Sequence, residues 1–311
     1  MYKKLLEKIK EFDNISIFRH ERPDGDCAFS SYAFAQFIKD NFDDKKVKLC
    51  GEDEYDLLPI NDKVTNKFIS ESLAIVLDTA SVDRIDDGRF ITSQYLIKID
   101  HHPANDNFGD FNIVDPGASS TAQILAEIFF SKEFSDYEIS NKVCNYLYSG
   151  IVTDTINFRT SNTTSKTLLY ASKLIEQGDL KVSGIVESLM DLDIETYSKV
   201  TKLRESLVID KQFGYIKLDK KTLNNIGFTP VEAKNQINEI GHISDLNIWA
   251  LAVENGDGWD CSLRSKRPYI INKIAQKYGG GGHNNASAVK QISSQNLTFL
   301  LEELADLSTK K

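Results

Sequence analysis

Acidic and imidazole side chains stand directly after three short apolar segments of this chain. The segments are Ile15–Arg19, Leu73–Leu77 and Tyr95–Ile99. The side chains that follow them are His20, Asp24, Asp26, Asp78, Asp100, His101 and His102. A lone histidine after a strand is typical of an ordinary turn, but three segments that end alike predict a shared site. Carboxylates and imidazoles without thiolates suit a hard or borderline divalent cation such as Mn²⁺ or Mg²⁺.

The three segments have the length and composition of β-strands, and predicted helices alternate with them. Asp26–Asn41 is a predicted helix, and Val47–Cys50 is a further short strand. Strands that alternate with helices predict an α/β domain with a doubly wound, mainly parallel sheet. Ligands bind outside the carboxyl ends of the strands in such sheets. We therefore expect the polar side chains to meet at one edge of the sheet.

Two later segments carry polar groups that could join this site. Asp136–Asn157 is predicted to be a buried helix, and it contains Asp154. A buried acid is costly unless it is paired or binds a metal, so Asp154 is a fourth candidate acid, with a surface-facing side chain as the alternative. Ser119–Thr121 begins another predicted helix and either caps it or also holds a phosphate oxygen. Asn107–Gly117, which ends in an Asp-Pro-Gly turn, is expected to be a loop.

The pattern changes near residue 210, which predicts a second, smaller α/β domain. Phe213–Leu218 is a predicted strand, and Trp249–Glu254 and Trp259–Arg264 form a predicted hairpin. A predicted helix over Tyr269–Tyr278 precedes four glycines, Gly279–Gly282.

Three parts of the chain follow from these elements. We expect a first domain over residues 1–190, a helical linker over residues 191–210 and a second domain over residues 211–311.

Composition excludes several classes of protein. The chain has 311 residues, of which 41% are hydrophobic and 27% charged, as in ordinary globular proteins. A net charge of −9 argues against a protein that binds long duplex nucleic acid, but bound cations would still allow a small anionic substrate. The cysteines Cys27, Cys50, Cys144 and Cys261 form no C-x-x-C pair, which argues against a disulfide framework or a zinc site.

No membrane partner is expected. The charged N-terminal segment Met1–Lys10 lacks the apolar core of a signal peptide, and no apolar run is long enough for a membrane span. We therefore expect a cytoplasmic protein.

With these residues identified, the chain resembles the DHH phosphoesterase superfamily, in the subgroup with a C-terminal DHHA1 domain. Within that subgroup it is most similar to the small nanoRNases and 3′-phosphoadenosine-5′-phosphate (pAp) phosphatases. The matching motifs are His20-x-x-x-Asp24-x-Asp26, Asp78, Asp100-His101-His102, Asp154 and Gly279–His283. The chain departs from the family at Phe29-Ser30, where Gly-Ser is usual.

The resemblance implies a two-metal site. His20, Asp24 and Asp78 would hold one ion, and Asp26, Asp78, His101 and Asp154 would hold the second, so that Asp78 bridges the two ions. The family usually uses Mn²⁺, with Mg²⁺ or Co²⁺ as substitutes. The catalytic residues would be Asp78, His102, which would face the substrate phosphate, and Asp100, which would orient a ligand imidazole.

The resemblance also implies a substrate and a recognition surface. The metals would activate a water that attacks phosphorus in short oligoribonucleotides, as an exonuclease, or in pAp. Arg264 would clamp a phosphate, His283 would hydrogen-bond one, and Gly280, Gly281 and Gly282 would let backbone amides approach one.

Other functions stay open. A phosphodiesterase for pGpG or a cyclic dinucleotide of the c-di-AMP type is one alternative. A family II inorganic pyrophosphatase and a non-catalytic nucleotide-binding protein are further alternatives. The sequence is also compatible with a homodimer.

Overall fold

The computed structural model of the protein describes residues 1–52, 55, 57–59, 61–103 and 106–310. The chain divides into two units, Met1–Asp191 and Leu192–Lys311. None of the helices in this described part of the chain combines the length and the apolar character that a bilayer span requires.

A five-stranded parallel sheet forms the centre of the first unit. Its strands are β1 (Asn14–Phe18), β2 (Lys46–Leu49), β3 (Ser72–Leu77), β4 (Tyr95–Asp100) and β5 (Phe111–Val114). Its helices are α1 (Tyr2–Glu11), α2 (Gly25–Asn41), α3 (Asn66–Ser70), α4 (Thr121–Phe129), α5 (Asn141–Asp154), α6 (Ser165–Gly178) and α7 (Val182–Met190). The strand order is β2-β1-β3-β4-β5, so the direction of winding reverses between β1 and β3. Ligands bind in the crevice at such a reversal.

Both faces of this sheet are buried, which confirms the predicted doubly wound α/β domain. Leu73, Ile75 and Leu77 of β3 face the larger core, to which α1, α2, α4 and α5 contribute. Ala74 and Val76 face a smaller core. Burial on both faces explains why the strands are continuous apolar runs instead of alternating ones.

Two glycines bring α5 close to its neighbours. A Cβ atom on Gly25 would lie 2.5 Å from Thr153 Oγ1, and one on Gly150 would lie 2.7 Å from the Cβ of Ala122. Because neither glycine carries a side chain, α5 packs directly against α2 and α4. This close packing brings Asp154, the last residue of α5, to the carboxyl edge of the sheet.

The prediction of a loop over Asn107–Gly117 is wrong, because the segment contains β5. The strand pairs with β4, with Ile97 opposite Phe111 and Ile99 opposite Ile113. β5 has only four residues and lies at the edge of the sheet. Four residues next to a strong turn signal are too few for a strand pattern to be recognised from the sequence.

The second unit contains a mixed sheet. Its strands are β6 (Val208–Asp210), β7 (Phe213–Leu218), β8 (Ile248–Asn255), β9 (Gly258–Ser265), β10 (Gly281–His283) and β11 (Ala286–Ile292). Its helices are α8 (Ile194–Glu205), α9 (Lys220–Ile226), α10 (Pro230–Asn235), α11 (Asn272–Lys277) and α12 (Ser294–Ser308). The strand order is β10-β11-β9-β8-β7-β6, in which only β7 and β8 pair in parallel.

The predicted hairpin is confirmed as β8 and β9. These strands pair without interruption, with Ile248 opposite Ser265 at one end and Asn255 opposite Gly258 at the other. The elements β10, β11 and α12 had no counterpart among the sequence predictions. α8, in the segment predicted to link the domains, packs Val200 and Leu203 into a core of the second unit.

Candidate metal centre and phosphate-binding residues

His20 lies just past the end of β1 and points one ring nitrogen towards two carboxylates. Its Nδ1 atom donates to the Glu21 carbonyl at 2.8 Å, and a carbonyl can only accept. Nε2 is 3.8 Å from Asp24 Oδ2 and 3.7 Å from Asp78 Oδ2. Burial lowers the pKa of His20, but the interactions with Asp24 and Asp78 outweigh burial and raise it. The space between these three side chains therefore favours a positive charge.

Asp24 has a structural role as well as a place in this group. Its Oδ1 atom accepts from the Cys27 amide at 3.0 Å and so caps the start of α2. Its side chain remains largely exposed, and Oδ2 faces His20.

Asp78 lies at the centre of the group, past the end of β3. Its φ angle is +53°, which is rare for a residue other than glycine and costs backbone energy. Oδ2 faces His20, whereas Oδ1 is 3.4 Å from His101 Nε2. The Thr121 hydroxyl donates to Oδ1 at 3.0 Å and fixes the carboxylate. Each oxygen of Asp78 thus faces a different histidine, as a bridging ligand requires.

Asp26 is held by the first turn of α4. Its Oδ2 accepts from the Thr121 amide at 2.6 Å, and its Oδ1 accepts from the Ala122 amide at 2.9 Å. Burial and then the charges of Asp78 and Asp154 raise the pKa of Asp26 well above its ordinary value. A buried carboxylate with such a pKa gains from a nearby cation.

This arrangement decides between the two alternatives for Ser119–Thr121. Ser120 caps α4 by accepting from the Gln123 amide at 3.0 Å. The next two amides, on Thr121 and Ala122, bind Asp26. The segment therefore caps its helix, and its amides hold a protein carboxylate.

Asp154 completes the carboxylate cluster. Its Oδ2 atom is 3.8 Å from His101 Nε2, and about a quarter of its side chain (27%) remains exposed. Burial and the charges of Asp24 and Asp78 raise the pKa of Asp154 to about 7, although His101 opposes the shift. The predicted alternative, an Asp on the outer surface of α5, is therefore excluded.

Asp100, the last residue of β4, holds His102. Asp100 Oδ1 accepts from His102 Nδ1 at 2.8 Å and from the His102 amide at 3.1 Å. Burial lowers the pKa of His102, but Asp100 and then Asp78 raise it above its ordinary value. Asp100 therefore orients His102, whereas the sequence predicted that it would orient an imidazole that binds metal.

Three groups of side chains in the described ranges place ligand atoms within 4.8 Å of one another. They are His20–Cys27–Asp78, Asp78–His101–His102 and Asp26–His101–Asp154. Burial raises the pKa of the Cys27 thiol to about 12, which disfavours the thiolate form that binds a metal. His102 Nδ1 is already bonded to Asp100.

The donors that remain are carboxylate oxygens and imidazole nitrogens. Burial and then repulsion between the carboxylates raise the pKa values of Asp26 and Asp154, and bound divalent cations would offset both effects. The donor set therefore fits the metal ions that the sequence predicted.

In the second unit, strand pairing aligns Arg264 with His283. Arg264 of β9 lies opposite Ala286 of β11, and Ala286 lies opposite His283 of β10. Opposed residues of antiparallel strands point to the same face. Arg264 and His283 therefore share one face, two strands and about 10 Å apart. Burial lowers the pKa of Arg264, whose Nη1 donates to the Leu263 carbonyl at 2.9 Å.

The glycines between α11 and β11 differ in their surroundings. A Cβ on Gly280 would lie 2.2 Å from the Ala288 carbonyl oxygen, and one on Gly282 would lie 2.5 Å from that of Ala286. Gly282 also has a φ of +129°. Packing against β11 thus requires Gly280 and Gly282, whereas a Cβ on Gly281 would meet no described atom within 4 Å.

Known proteins match nearly the whole chain. Residues 14–151 match the DHH family, N-terminal domain, and residues 213–310 match the DHHA1 domain. A Streptococcus mutans protein named "Probable bifunctional oligoribonuclease and PAP phosphatase NrnA" is 35% identical over 98% of both chains. A Bacillus subtilis protein named "Bifunctional oligoribonuclease and PAP phosphatase NrnA" is 34% identical over 99% of this chain and 98% of its own. The chain belongs to the DHH family.

A solved structure shares the fold of this DHH-family protein. It is an exopolyphosphatase-related protein from Bacteroides fragilis, with a TM-score of 0.86 at 22% identity. The match covers 98% of this chain and 95% of the other. The resemblance stated from the motifs is therefore confirmed, while the roles of individual residues and the domain boundaries stay predictions.

The sequence did not predict that three residues of the DHH domain contact the predicted site residues. Thr121 bonds both Asp26 and Asp78, and Ser30 donates to Asp26 at 3.1 Å. Lys98 lies 3.2 Å from Asp100 Oδ2. A charged residue in the middle of an apolar strand was the one signal that could have pointed to Lys98.

Proposed function

We propose that the protein is a metal-dependent phosphoesterase that hydrolyses short oligoribonucleotides, as an exonuclease, and pAp. The observation that carries this proposal is Asp78, whose two oxygens face His20 on one side and His101 on the other. A carboxylate in this position can bridge two cations. Relatives that match nearly the full chain carry oligoribonuclease and PAP phosphatase in their names, which supports the substrate class.

The predicted ligand sets follow the two sides of Asp78. His20 and Asp24 lie beside Oδ2, while His101, Asp154 and Asp26 lie on the side of Oδ1. Two cations held by these residues would polarise phosphoryl oxygens of the substrate and would lower the pKa of a nucleophilic water.

The protein's own groups orient this chemistry. Thr121 holds the Asp78 carboxylate in place through its hydroxyl. Asp100 fixes Nδ1 of His102, so the opposite edge of that ring can donate to a phosphoryl oxygen of the substrate. The raised pKa of His102 keeps the ring protonated to higher pH, which suits a donor to an anion.

The second unit would bind the part of the substrate that does not react. Arg264 and His283 lie two strands apart on one face of its sheet. This spacing suits a phosphate or an adjacent nucleotide. Gly281 lies on the same strand as His283, and a Cβ there would meet no described atom within 4 Å, so a phosphate could approach its backbone. Gly280 and Gly282 would contribute further amides.

Mn²⁺ is the proposed physiological metal, with Mg²⁺ or Co²⁺ as substitutes. A site with carboxylate and imidazole donors and a protonated neighbouring thiol suits this borderline ion. The four cysteines are buried and free, as fits the reducing cytoplasm. A homodimer stays a prediction that light scattering would test.

The test compares substrates at a fixed metal concentration. Purified protein with Mn²⁺ is assayed on pAp, a ribodinucleotide, pGpG, a cyclic dinucleotide and pyrophosphate, and Asp78→Ala is the control for contaminating activity. We expect turnover of pAp and the ribodinucleotide. Preference for pGpG or the cyclic dinucleotide would support a dinucleotide phosphodiesterase, and preference for pyrophosphate a pyrophosphatase. Binding of nucleotide without turnover of any substrate would identify a non-catalytic protein.

A further inference from the structure

Lys98 is a fully buried lysine in the middle of β4. Its neighbours in sequence, Ile97 and Ile99, face the larger core, and its own side chain points to the opposite face. Lysine is almost never fully buried unless it is paired. The proposed function assigns roles to Asp100, His101 and His102 at the end of this strand, but it assigns none to Lys98.

Two carbonyl groups hold the Lys98 ammonium in place. Nζ donates to the Ala80 carbonyl at 2.9 Å and to the Asp106 carbonyl at 2.9 Å. Ala80 lies two residues after Asp78, and Asp106 lies in the segment that follows His102. The Phe108 ring, with its centroid 4.8 Å from Nζ, covers the ammonium further. These contacts anchor the charge between the ends of β3 and β4.

The anchored ammonium faces Asp100. Nζ is 3.2 Å from Asp100 Oδ2, and neither side chain is exposed to solvent. Oδ1 of Asp100 accepts both hydrogen bonds from His102, while Oδ2 has no aligned hydrogen-bond donor among the described residues. Lys98 therefore supplies the positive charge on the side of the carboxylate that His102 does not contact.

Stability does not explain this ion pair. Desolvation of two buried charges cancels much of their attraction, and apolar residues of similar size often serve stability as well or better. The pair does, however, give the Asp100 carboxylate one preferred orientation, with Oδ2 towards Lys98 and Oδ1 towards His102. A carboxylate turned away from this orientation would release the His102 ring.

We propose that Lys98 is a positioning residue that acts through Asp100 to aim the His102 ring at the reacting phosphate. The kinetic part of this inference rests on the proposed function. The structural part, which concerns the orientation of His102, does not depend on any activity.

The first measurement is structural. Nitrogen-15 NMR of imidazole-labelled full-length protein reports the hydrogen bond of His102 Nδ1, assigned by its loss in His102→Gln. We expect Lys98→Met to shift this resonance. The matched control is Lys166→Met, which breaks the pair between Lys166 Nζ and buried Glu127 Oε2 (2.7 Å) elsewhere in the same unit. The control should leave the resonance unchanged, and an unchanged resonance in Lys98→Met would overturn the proposal.

The second measurement is kinetic, with the substrate that the wild type hydrolyses. We expect Lys98→Met to lower kcat at least about tenfold, since displacement of a catalytic group by about 1 Å can cost a hundredfold. KM should change less than about twofold, and the number of bound metal ions should not change. Lys166→Met should keep wild-type kcat. An equal loss of kcat in both variants would show that Lys98 acts only through general stability, against the proposal.

A double-mutant cycle tests the route through Asp100. In the Asp100→Asn background, Lys98→Met should lower kcat by less than about twofold more, because the residue through which it acts is already altered. Independent, multiplicative losses would overturn that route. If Lys98→Met alone does not fold, the double variant lacks both buried charges and carries the test. The His102 resonance and kcat of the double variant should then equal those of Asp100→Asn. A different chemical shift or a lower kcat in the double variant would refute the inference.

Discussion

Adding one methyl group at Gly280 or at Gly281 should have opposite consequences, although the two residues are adjacent. A Cβ on Gly280 would lie 2.2 Å from the Ala288 carbonyl oxygen and 2.8 Å from Val289 Cγ2. A Cβ on Gly281 would meet no described heavy atom within 4 Å, and its φ lies outside the left-handed region.

The magnitudes follow from these contacts. Gly280→Ala forces β10 away from β11, and overpacking of this kind costs about 1–3 kcal/mol of the free energy of unfolding. Gly281→Ala should change that free energy by less than about 0.5 kcal/mol, as is usual at open surface positions. If a substrate phosphate approaches the bare backbone at Gly281, the methyl group removes a charge-assisted hydrogen bond. Such a bond contributes about 1.5–3 kcal/mol, so KM should rise roughly tenfold to a hundredfold.

The assay combines urea unfolding of both variants with steady-state kinetics on pAp and on a small generic phosphodiester. We expect Gly281→Ala to keep wild-type stability, to raise KM for pAp and to leave hydrolysis of the generic ester unchanged. An unchanged KM for pAp in a fully stable Gly281→Ala protein would refute the phosphate-binding role of this backbone. Equal stability of the two variants would refute the packing argument for Gly280.

Three further predictions concern the metal centre. Asp78→Ala should lower the affinity of both metal sites and abolish turnover, because the two oxygens of Asp78 face His20 and His101. Calorimetry that finds two tightly bound ions in this variant would contradict the bridging role. His101→Ala should lose one ion, whereas His102→Ala should keep both and lose turnover, so equal metal loss would contradict this division. Because burial raises the pKa of Asp154 to about 7 and only its carboxylate form binds a cation, metal affinity should fall below pH 7 and level off above it. Asp154→Asn should flatten that dependence, and an identical pH profile would exclude Asp154 as a ligand.

The sequence alone determined the type of fold and which carboxylates and imidazoles meet at the edge of the first sheet. Parallel strands place their carboxyl ends at one edge, so His20, Asp78 and His101 had to meet once their preceding segments formed strands. The hairpin of the second unit was equally plain, because two apolar runs flanked a turn rich in glycine and aspartate. These features depend on local patterns that short stretches of sequence carry by themselves.

Only the tertiary structure decided which groups support those residues. Thr121 bonds Asp26 from 95 residues away and Asp78 from 43 residues away, which no local pattern indicates. The tertiary structure likewise pairs Asp100 with Lys98 on one side and His102 on the other, and it aligns Arg264 with His283 across β11. The physical reason is that a strand or helix dictates where its own side chains point. The partners they meet depend on how distant elements pack and on the register in which strands pair.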